Sequence, residues 1–305
     1  MALTVKTIKT KLRSMKNIKK ITKTMEMVAA AKMRKAVAEV LLSRHYAREA
    51  WQVVANIAGK VEPSHHPLLE QRAQVKKIAV VLFSSNRGLC GGFNSQVVAC
   101  ALEFVKNYRQ RTGLDFTEDW IVVGKKGAVI LARKNRQVAF LFEKPELAKQ
   151  VTYISAVSKM ILDCYQNGSY YQVILVYTDF LSALNQKPKA KVLLPIQSFR
   201  EDSLGHLQKE SAIENDTAVF AEYLFEPTAR EILDYFLPHL VTMQIYQALL
   251  ESNASEHSSR MAAMRNASDA TSDMIDGLTL TFNQARQAGI TREIAEIAGA
   301  KAAMN

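Results

Sequence analysis

Along residues 239–276 the chain repeats apolar and small side chains every three or four positions: Met243, Tyr246, Leu250, Ala254, His257, Met261, Met264, Ala267, Thr271 and Met274, running on to Leu278 and Phe282. The mean step is about 3.5 residues, the period of a coiled-coil seam and not of a broad amphipathic face. No Pro or Gly interrupts residues 239–276, which predicts a helix of about 57 Å at 1.5 Å per residue. A helix of that length needs a partner of matching length. Its seam is thin, with several Ala and the polar His257 and Thr271. The helices therefore approach closely, and each contact buries little apolar area.

The partner lies at the other end of the chain. Residues 1–58 lack Gly and Pro, and Val5, Ile8, Leu12, Met15, Ile18, Ile21 or Thr22, Met25, Val28, Lys32 or Met33 and Ala36 again step by threes and fours. This predicts a second helix of up to about 87 Å. Residues 61–74 read as a linker, with Pro63, Pro67 and polar side chains. His65 and His66 are adjacent there and read as loop residues, not as a metal pair.

From residue 75 the period changes. Apolar runs at 77–83, 120–124, 138–142, 172–180 and 191–196 predict strands, and helical patterns occupy 95–108 and 146–164. Strands alternating with helices predict a doubly wound, Rossmann-like α/β sheet. The expected organisation is an N-terminal coiled-coil helix (1–60), the linker (61–74), a central α/β domain (75–200) and a C-terminal helical region (201–305) that pairs with the first helix. The last region is expected to break at Pro227 and Pro238 and to continue as helix past Gly277.

Charge sharpens this picture. The 305 residues carry a net charge of +11. Residues 1–60 alone hold fourteen Lys and Arg against Glu26, Glu39 and Glu49, so the whole excess sits in the first helix. A basic coiled coil that binds nucleic acid is one reading. Against it, Lys6, Lys9, Lys16, Lys19, Lys20 and Lys23 interleave with the seam, whereas a basic zipper keeps its charge block apart from its heptads. An N-terminal targeting peptide is basic too, but this pattern runs unbroken to residue 58 and includes acids. Cys90, Cys100 and Cys164 form no CxxC, which disfavours a disulfide framework or a thiolate zinc site and fits a reducing compartment. No run approaches the roughly 18 continuous apolar residues of a membrane span.

The glycine-rich SSNRGLCGGFN (84–94) follows a predicted strand, as a phosphate-binding turn would. Its glycines at 88, 91 and 92 match neither GxGxxG nor a Walker loop, and Gly124-Lys125-Lys126-Gly127 fails both as well. A tight strand-to-helix turn that packs on something is the better reading. Ser84, Ser85 and Cys90 have no evident base, and no GxSxG, HExxH or supported carboxylate pair appears. The chain reads as a mechanical or interaction part with no catalytic site, cofactor or metal.

Four stretches resemble signatures of the γ subunits of rotary F-type ATP synthases: KITKTMEMVAAAKMRKA (20–36), SSNRGLCGGFN (84–94), SSRMAAMRNASDAT (258–271) and LTLTFNQARQAGITREIAEIAGAKA (278–302). The resemblance implies a central shaft, present once per complex. Its antiparallel coiled coil would turn inside a hexamer of three α and three β subunits, with the α/β domain beside the ε subunit and a foot on the ring of c subunits. It would be peripheral, on the cytoplasmic face of a bacterial inner membrane, with ATP chemistry on β. By position, the resemblance implies that Met25, Arg260, Arg286, Gln287 and Thr291 contact β, that Tyr223 and Glu226 touch the c-ring, and that Arg87, Gly88, Cys90, Gly91 and Gly92 form the central-domain motif. Residues 199–222 contain no cysteine, unlike the chloroplast branch with its regulatory cysteine pair. The lack of a transit-peptide pattern favours a bacterial chain.

Overall fold

A computed structural model of the chain describes residues 5–58, 66–70, 76–145, 150–196 and 229–304. Its elements, in order, are α1 (Val5–Ala58), β1 (Lys77–Phe83), α2 (Phe93–Thr112), β2 (Thr117–Val123), α3 (Lys125–Arg133), β3 (Val138–Phe142), α4 (Gln150–Gln166), β4 (Gln172–Phe180), β5 (Gln186–Leu194) and α5 (Ala229–Met304). They fall into two compact units, residues 1–29 with 260–305, and residues 30–259.

The larger unit is built on a five-stranded sheet of order β3-β2-β1-β4-β5. The first four strands are parallel, and β5 runs antiparallel to β4. Central strands buried on both faces need apolar side chains at every position. In β1, Ile78, Val80 and Leu82 point to one face, while Ala79, Val81 and Phe83 point to the other. The first face packs Val97, Val98, Ala101 and Val105 of α2 and Leu131 of α3. The second packs Ile154, Val157 and Ile161 of α4 and, from α5, Leu233, Leu237, Leu240, Val241, Ile245 and Leu249. The sheet is thus doubly wound, and the base of α5 serves as one of its covering helices.

Several elements depart from the expected ones. β5 starts at Gln186, five residues earlier than its apolar run, because an edge strand tolerates exposed Lys and even Pro188. α3 occupies 125–133, a stretch not expected to be helical. Pro238 lies inside α5 and does not end it. The Pro238 carbonyl accepts a hydrogen bond from Thr242 Oγ1 at 2.9 Å. Within the expected linker, His66, Leu68 and Leu69 are buried. His66 Nε2 lies 3.2 Å from Asp234 Oδ1 on α5.

In the same unit α1 runs along α5. Ala36 and Val40 pack with Leu250 and Ala254. Ser43 Oγ donates to Gln247 Oε1 at 2.6 Å. Residues 1–29 group instead with 260–305, so the pairing is antiparallel. In the smaller unit α5 buries or half-buries Met264, Ser268, Thr271, Ile275, Leu278, Phe282, Ala285 and Gly289 in alternating steps of four and three, and residues 260–263, Ala267 and Ser272 are half-buried beside them. On α1 the buried or half-buried positions are Val5, Ile8, Leu12, Met15, Thr22, Met25, Glu26 and Ala29. The expected Met274 and Val28 are 56% and 52% exposed, and Ile21 and Ile18 are exposed as well. The expected Thr22 and Thr271 lie in the seam, Ala29 is buried where Val28 was expected, and Ile275 is half-buried where Met274 was expected.

The GKKG turn is explained by close packing. Ser84 Oγ donates to the Gly124 carbonyl at 2.8 Å and accepts from Gly127 N at 3.0 Å. A Cβ on Gly124 would sit 2.4 Å from Ser84 O, at a φ of +111°. Gly113, in the left-handed cap of α2, has φ +63° with nothing within 4 Å of a Cβ. Gly113→Ala should therefore cost about 1 kcal/mol from backbone conformation alone. Gly124→Ala should cost at least about twice that, since it adds a backbone clash. Urea unfolding of the two variants checks the order, and equal losses would refute the packing account.

Candidate functional site

The residues that tie α5 into the α/β domain lie between 244 and 259. From 244 to 256 every α5 residue except Tyr246 is buried, and Tyr246 is half-buried. A helix enclosed on all sides must satisfy its polar side chains internally, and three sets of contacts do so.

The first centres on Lys144, in the segment after β3, which is 6% exposed. Its Nζ lies 2.8 Å from Glu256 Oε2 and donates to Ser252 Oγ at 3.2 Å. The ammonium also sits 5.6 Å from the centre of the Phe93 ring. Its backbone is held by Asn86, whose Nδ2 donates to the Lys144 carbonyl at 2.8 Å and whose Oδ1 accepts from Lys144 N at 3.0 Å. Asn86 and Phe93 both belong to the SSNRGLCGGFN stretch. That turn is itself braced by Asn94, which accepts from Ser85 N at 2.9 Å and donates to Cys90 Sγ at 3.2 Å. What the turn packs on is therefore Lys144, and through it α5.

The second set joins all three layers. Arg44 Nη2 of α1 lies 3.2 Å from Glu251 Oε1 and donates to the Phe180 carbonyl at 3.3 Å. Gln247 Nε2 donates to Glu251 Oε1 at 2.8 Å. Glu251 is 0% exposed and Asp179 at the end of β4 is 2% exposed. The two carboxyls are in hydrogen-bond contact. Each keeps one oxygen without a donor, Glu251 Oε2 and Asp179 Oδ1. A proton held between the carboxyls supplies one. Burial, then Asp179, pushes the Glu251 carboxyl up to about 8, with Arg44 pulling the other way. Loss of hydration and the neighbouring Lys189 lower Lys191 to about 8. Burial raises the Tyr177 phenol well above its usual value. No carboxylate pair was expected from the sequence. This one is closed off from solvent.

The third set is a row of serines. Ser255 Oγ donates to the Thr178 carbonyl at 3.2 Å, Ser258 Oγ donates to the Ala183 carbonyl, and Ser259 Oγ donates to Gln186 Oε1 at 3.2 Å. Small hydroxyl side chains let the helix approach the β4–β5 turn and cap its free carbonyls.

The other expected site residues are dispersed. Arg87 is exposed and Gly88 half-buried, Cys90 is buried, Gly91 has φ +56°, and Gly92 caps α2. Met25 and Arg260 are half-buried on the two helices of the smaller unit. Arg286, Gln287 and Thr291 are exposed. Thr291 Oγ1 donates back to the Gln287 carbonyl at 3.0 Å. Tyr223 and Glu226 lie outside the described residues. Sequence reading missed Lys144, Arg44, Asp179, Glu251 and Glu256. The local signal was two glutamates, five residues apart, in a helical run of mostly small and apolar residues with few other charges.

Two outcomes follow for this junction. Lys144→Met leaves Glu256 buried without its cation and should cost about 3–5 kcal/mol. Adding Glu256→Leu should restore much of that loss, and denaturant unfolding of both variants reads the coupling; additive losses would count against it. For pH, Glu251 holds its proton in the native state up to about 8, whereas unfolded glutamate releases it near 4.3. The native state binds more protons in between, so stability falls as pH rises through that window and levels off above it. Thermal unfolding from pH 5 to 8 should show this decline, and Glu251→Gln should flatten it; parallel curves would refute the assignment.

Comparison with known proteins gives this architecture its context. The sequence model described as ATP synthase matches residues 4–304. An ATP synthase gamma chain of Chloroflexus aurantiacus is 38% identical over 299 residues, 97% of each chain. That of Legionella pneumophila is 34% identical over 301 residues, 98% of this chain and 99% of the other. Among solved structures, the chain is similar to one from the Tetrahymena thermophila mitochondrial ATP synthase central stalk and c-ring, with 26% identity, a TM-score of 0.55, and coverage of 81% of this chain and 99% of that one. A chain from the Euglena gracilis mitochondrial ATP synthase shares the fold at 20% identity and a TM-score of 0.62, covering 98% of this chain and 94% of that one. Matched along nearly its whole length by the family model and by full-length relatives, the chain belongs to the ATP synthase γ-chain family.

Proposed function

We propose that this chain is the central rotor shaft of an F1Fo ATP synthase. It passes torque between the membrane c-ring and the α3β3 catalytic hexamer and carries no catalytic site of its own. One observation carries the reading. α5 is an unbroken helix of 76 residues whose base is locked into a folded domain and whose last stretch, 290–300, buries nothing. A helix exposing Ile290, Ile294 and Ile297 needs an apolar sleeve around it, and the interior of the hexamer provides one. Arg286, Gln287 and Thr291 stand on that stretch or beside it and face β. Met25 and Arg260 contribute lower on the shaft, and Tyr223 and Glu226 form the foot on the c-ring. ε sits against the α/β domain, and the complex holds one copy of the chain. The assembly is peripheral, on the cytoplasmic face of a bacterial inner membrane, and ATP chemistry takes place on β.

Purification through a tag on this chain, in mild detergent, tests the reading. α, β, ε and c should come down together with ATPase activity. Truncation after Asn283 should keep the complex but lower its ATPase rate several-fold, because the β-facing tip is gone. Recovery of the chain alone, or with nucleic acid and no ATPase, would overturn it.

A further inference from the structure

The sheet face opposite α5 carries a feature that the shaft role does not use. Where the C-terminal half of α2 meets the turn after α3, a cleft of about 460 Å3 opens. Leu102 and Val105 form an apolar wall, and Gln110 adds an amide. The remaining lining is cationic: Lys106 and Arg109 from α2, Lys134 and Arg136 beyond α3.

The charge is only partly balanced. Glu118 on β2 lies 3.4 Å from Arg109 Nη2 and 2.6 Å from Arg136 Nη1. Arg109 also donates to the Phe116 carbonyl at 3.0 Å and stacks 4.8 Å from the Phe116 ring centre. Both guanidinium groups are therefore positioned in advance, which lowers the cost of binding. Lys106 and Lys134 make no ion pair among the described residues. Basic side chains at helix C-termini have an ordinary explanation, since each terminus presents about half a negative charge. Two such termini and Glu118 offset about two of the four positive charges. Roughly two remain concentrated in one cleft.

We propose that this cleft binds a small polyphosphate-bearing anion. Lysine ammoniums serve as point-charge partners for phosphate, and arginine forks as directional ones. A volume of a few hundred Å3 is that of a small-molecule site, not of an extended peptide groove. The ligand's source is either a free oligophosphate or a nucleoside polyphosphate, whose base would lie on Leu102 and Val105 with Gln110 reading its edge. No glycine loop takes part, so binding rests on side-chain charge and weakens with salt.

Calorimetric titration of the purified full chain, in metal-free buffer at low salt, tests this with ATP, tripolyphosphate and orthophosphate. The basic first helix is a competing site, so two charge-reversal variants are compared: Lys106→Glu with Lys134→Glu in the cleft, and Lys16→Glu with Lys19→Glu on α1. ATP and tripolyphosphate should bind the unaltered chain at least tenfold more tightly than orthophosphate. The cleft variant should lose at least tenfold, and the α1 variant should keep its affinity. ATP binding more tightly than tripolyphosphate identifies the nucleoside form, and equal affinity identifies the oligophosphate. No binding, binding unchanged in the cleft variant, or loss confined to the α1 variant overturns the proposal.

Discussion

The buried Lys144–Glu256 ion pair is the contact on which the junction depends. A helix can cover a sheet largely with apolar side chains, as α5 does with Leu233, Leu237, Leu240, Val241, Ile245 and Leu249. Over residues 250–259 α5 meets the ends of strands and turns, where carbonyls project and an apolar side chain would leave them unpaired. Serines at 255 and 258 answer the carbonyls of Thr178 and Ala183. Once such a segment holds a glutamate, a buried cation must meet it, because an isolated carboxylate there is prohibitively costly. Lys144 meets it, and Asn86 and Phe93 of the SSNRGLCGGFN turn hold Lys144. The sheet, the glycine-rich turn and the helix are linked through that one ammonium.

The same reasoning explains the thin seam. Two helices that approach through Ala29, Ala36, Ala254, Ser268 and Thr271 bury little area per contact. Buried threonine and serine hydroxyls are satisfied within the helix, Thr271 Oγ1 by the Ala267 carbonyl at 2.6 Å and Thr22 Oγ1 by the Ile18 carbonyl at 3.1 Å. The large apolar side chains displaced from the seam, Ile21, Met27, Val28 and Met274 among them, lie outward. An exposed apolar surface of this kind marks a place where another surface belongs.

Much of this was legible in the sequence. The 3.5-residue period located both long helices, and continuous apolar runs located the central strands. The errors have separate causes. Reading the seam from apolar side chains selected Val28 over Ala29 and left Ile21 and Thr22 as alternatives, whereas close-packed helices bury the small Ala29 and Thr22; Met274 in place of Ile275 was a shift of one position along the seam. α3 was hidden by Gly124 at its start and Gly127 in its first turn, both of which pack on Ser84. β5 was shortened because its first half is charged, as an edge strand allows. The ion pairs were illegible because Lys144 and Glu256, or Arg44 and Glu251, are joined only by the fold, and nothing local distinguishes them from solvated charges.

A seam that repeats every 3.5 residues is nearly self-similar under a shift of one heptad, and Ala, Ser and Thr make the shifted packing only slightly worse. Apolar contacts therefore hold the two helices together without fixing their register. The buried polar and charged groups do fix it. Glu251 has Arg44 on α1 and Asp179 on β4, and Glu256 has Lys144 beyond β3. A slip of one heptad moves each carboxyl about 10 Å along the axis, leaving Glu256 and Lys144 buried and unpaired and the Glu251 carboxyl without Arg44 and Asp179. Replacing such pairs with apolar residues can leave stability unchanged, yet it would remove the penalty for slipping. For a helix that must carry torque without sliding in its socket, the ionic contacts supply register where the coiled coil supplies only cohesion.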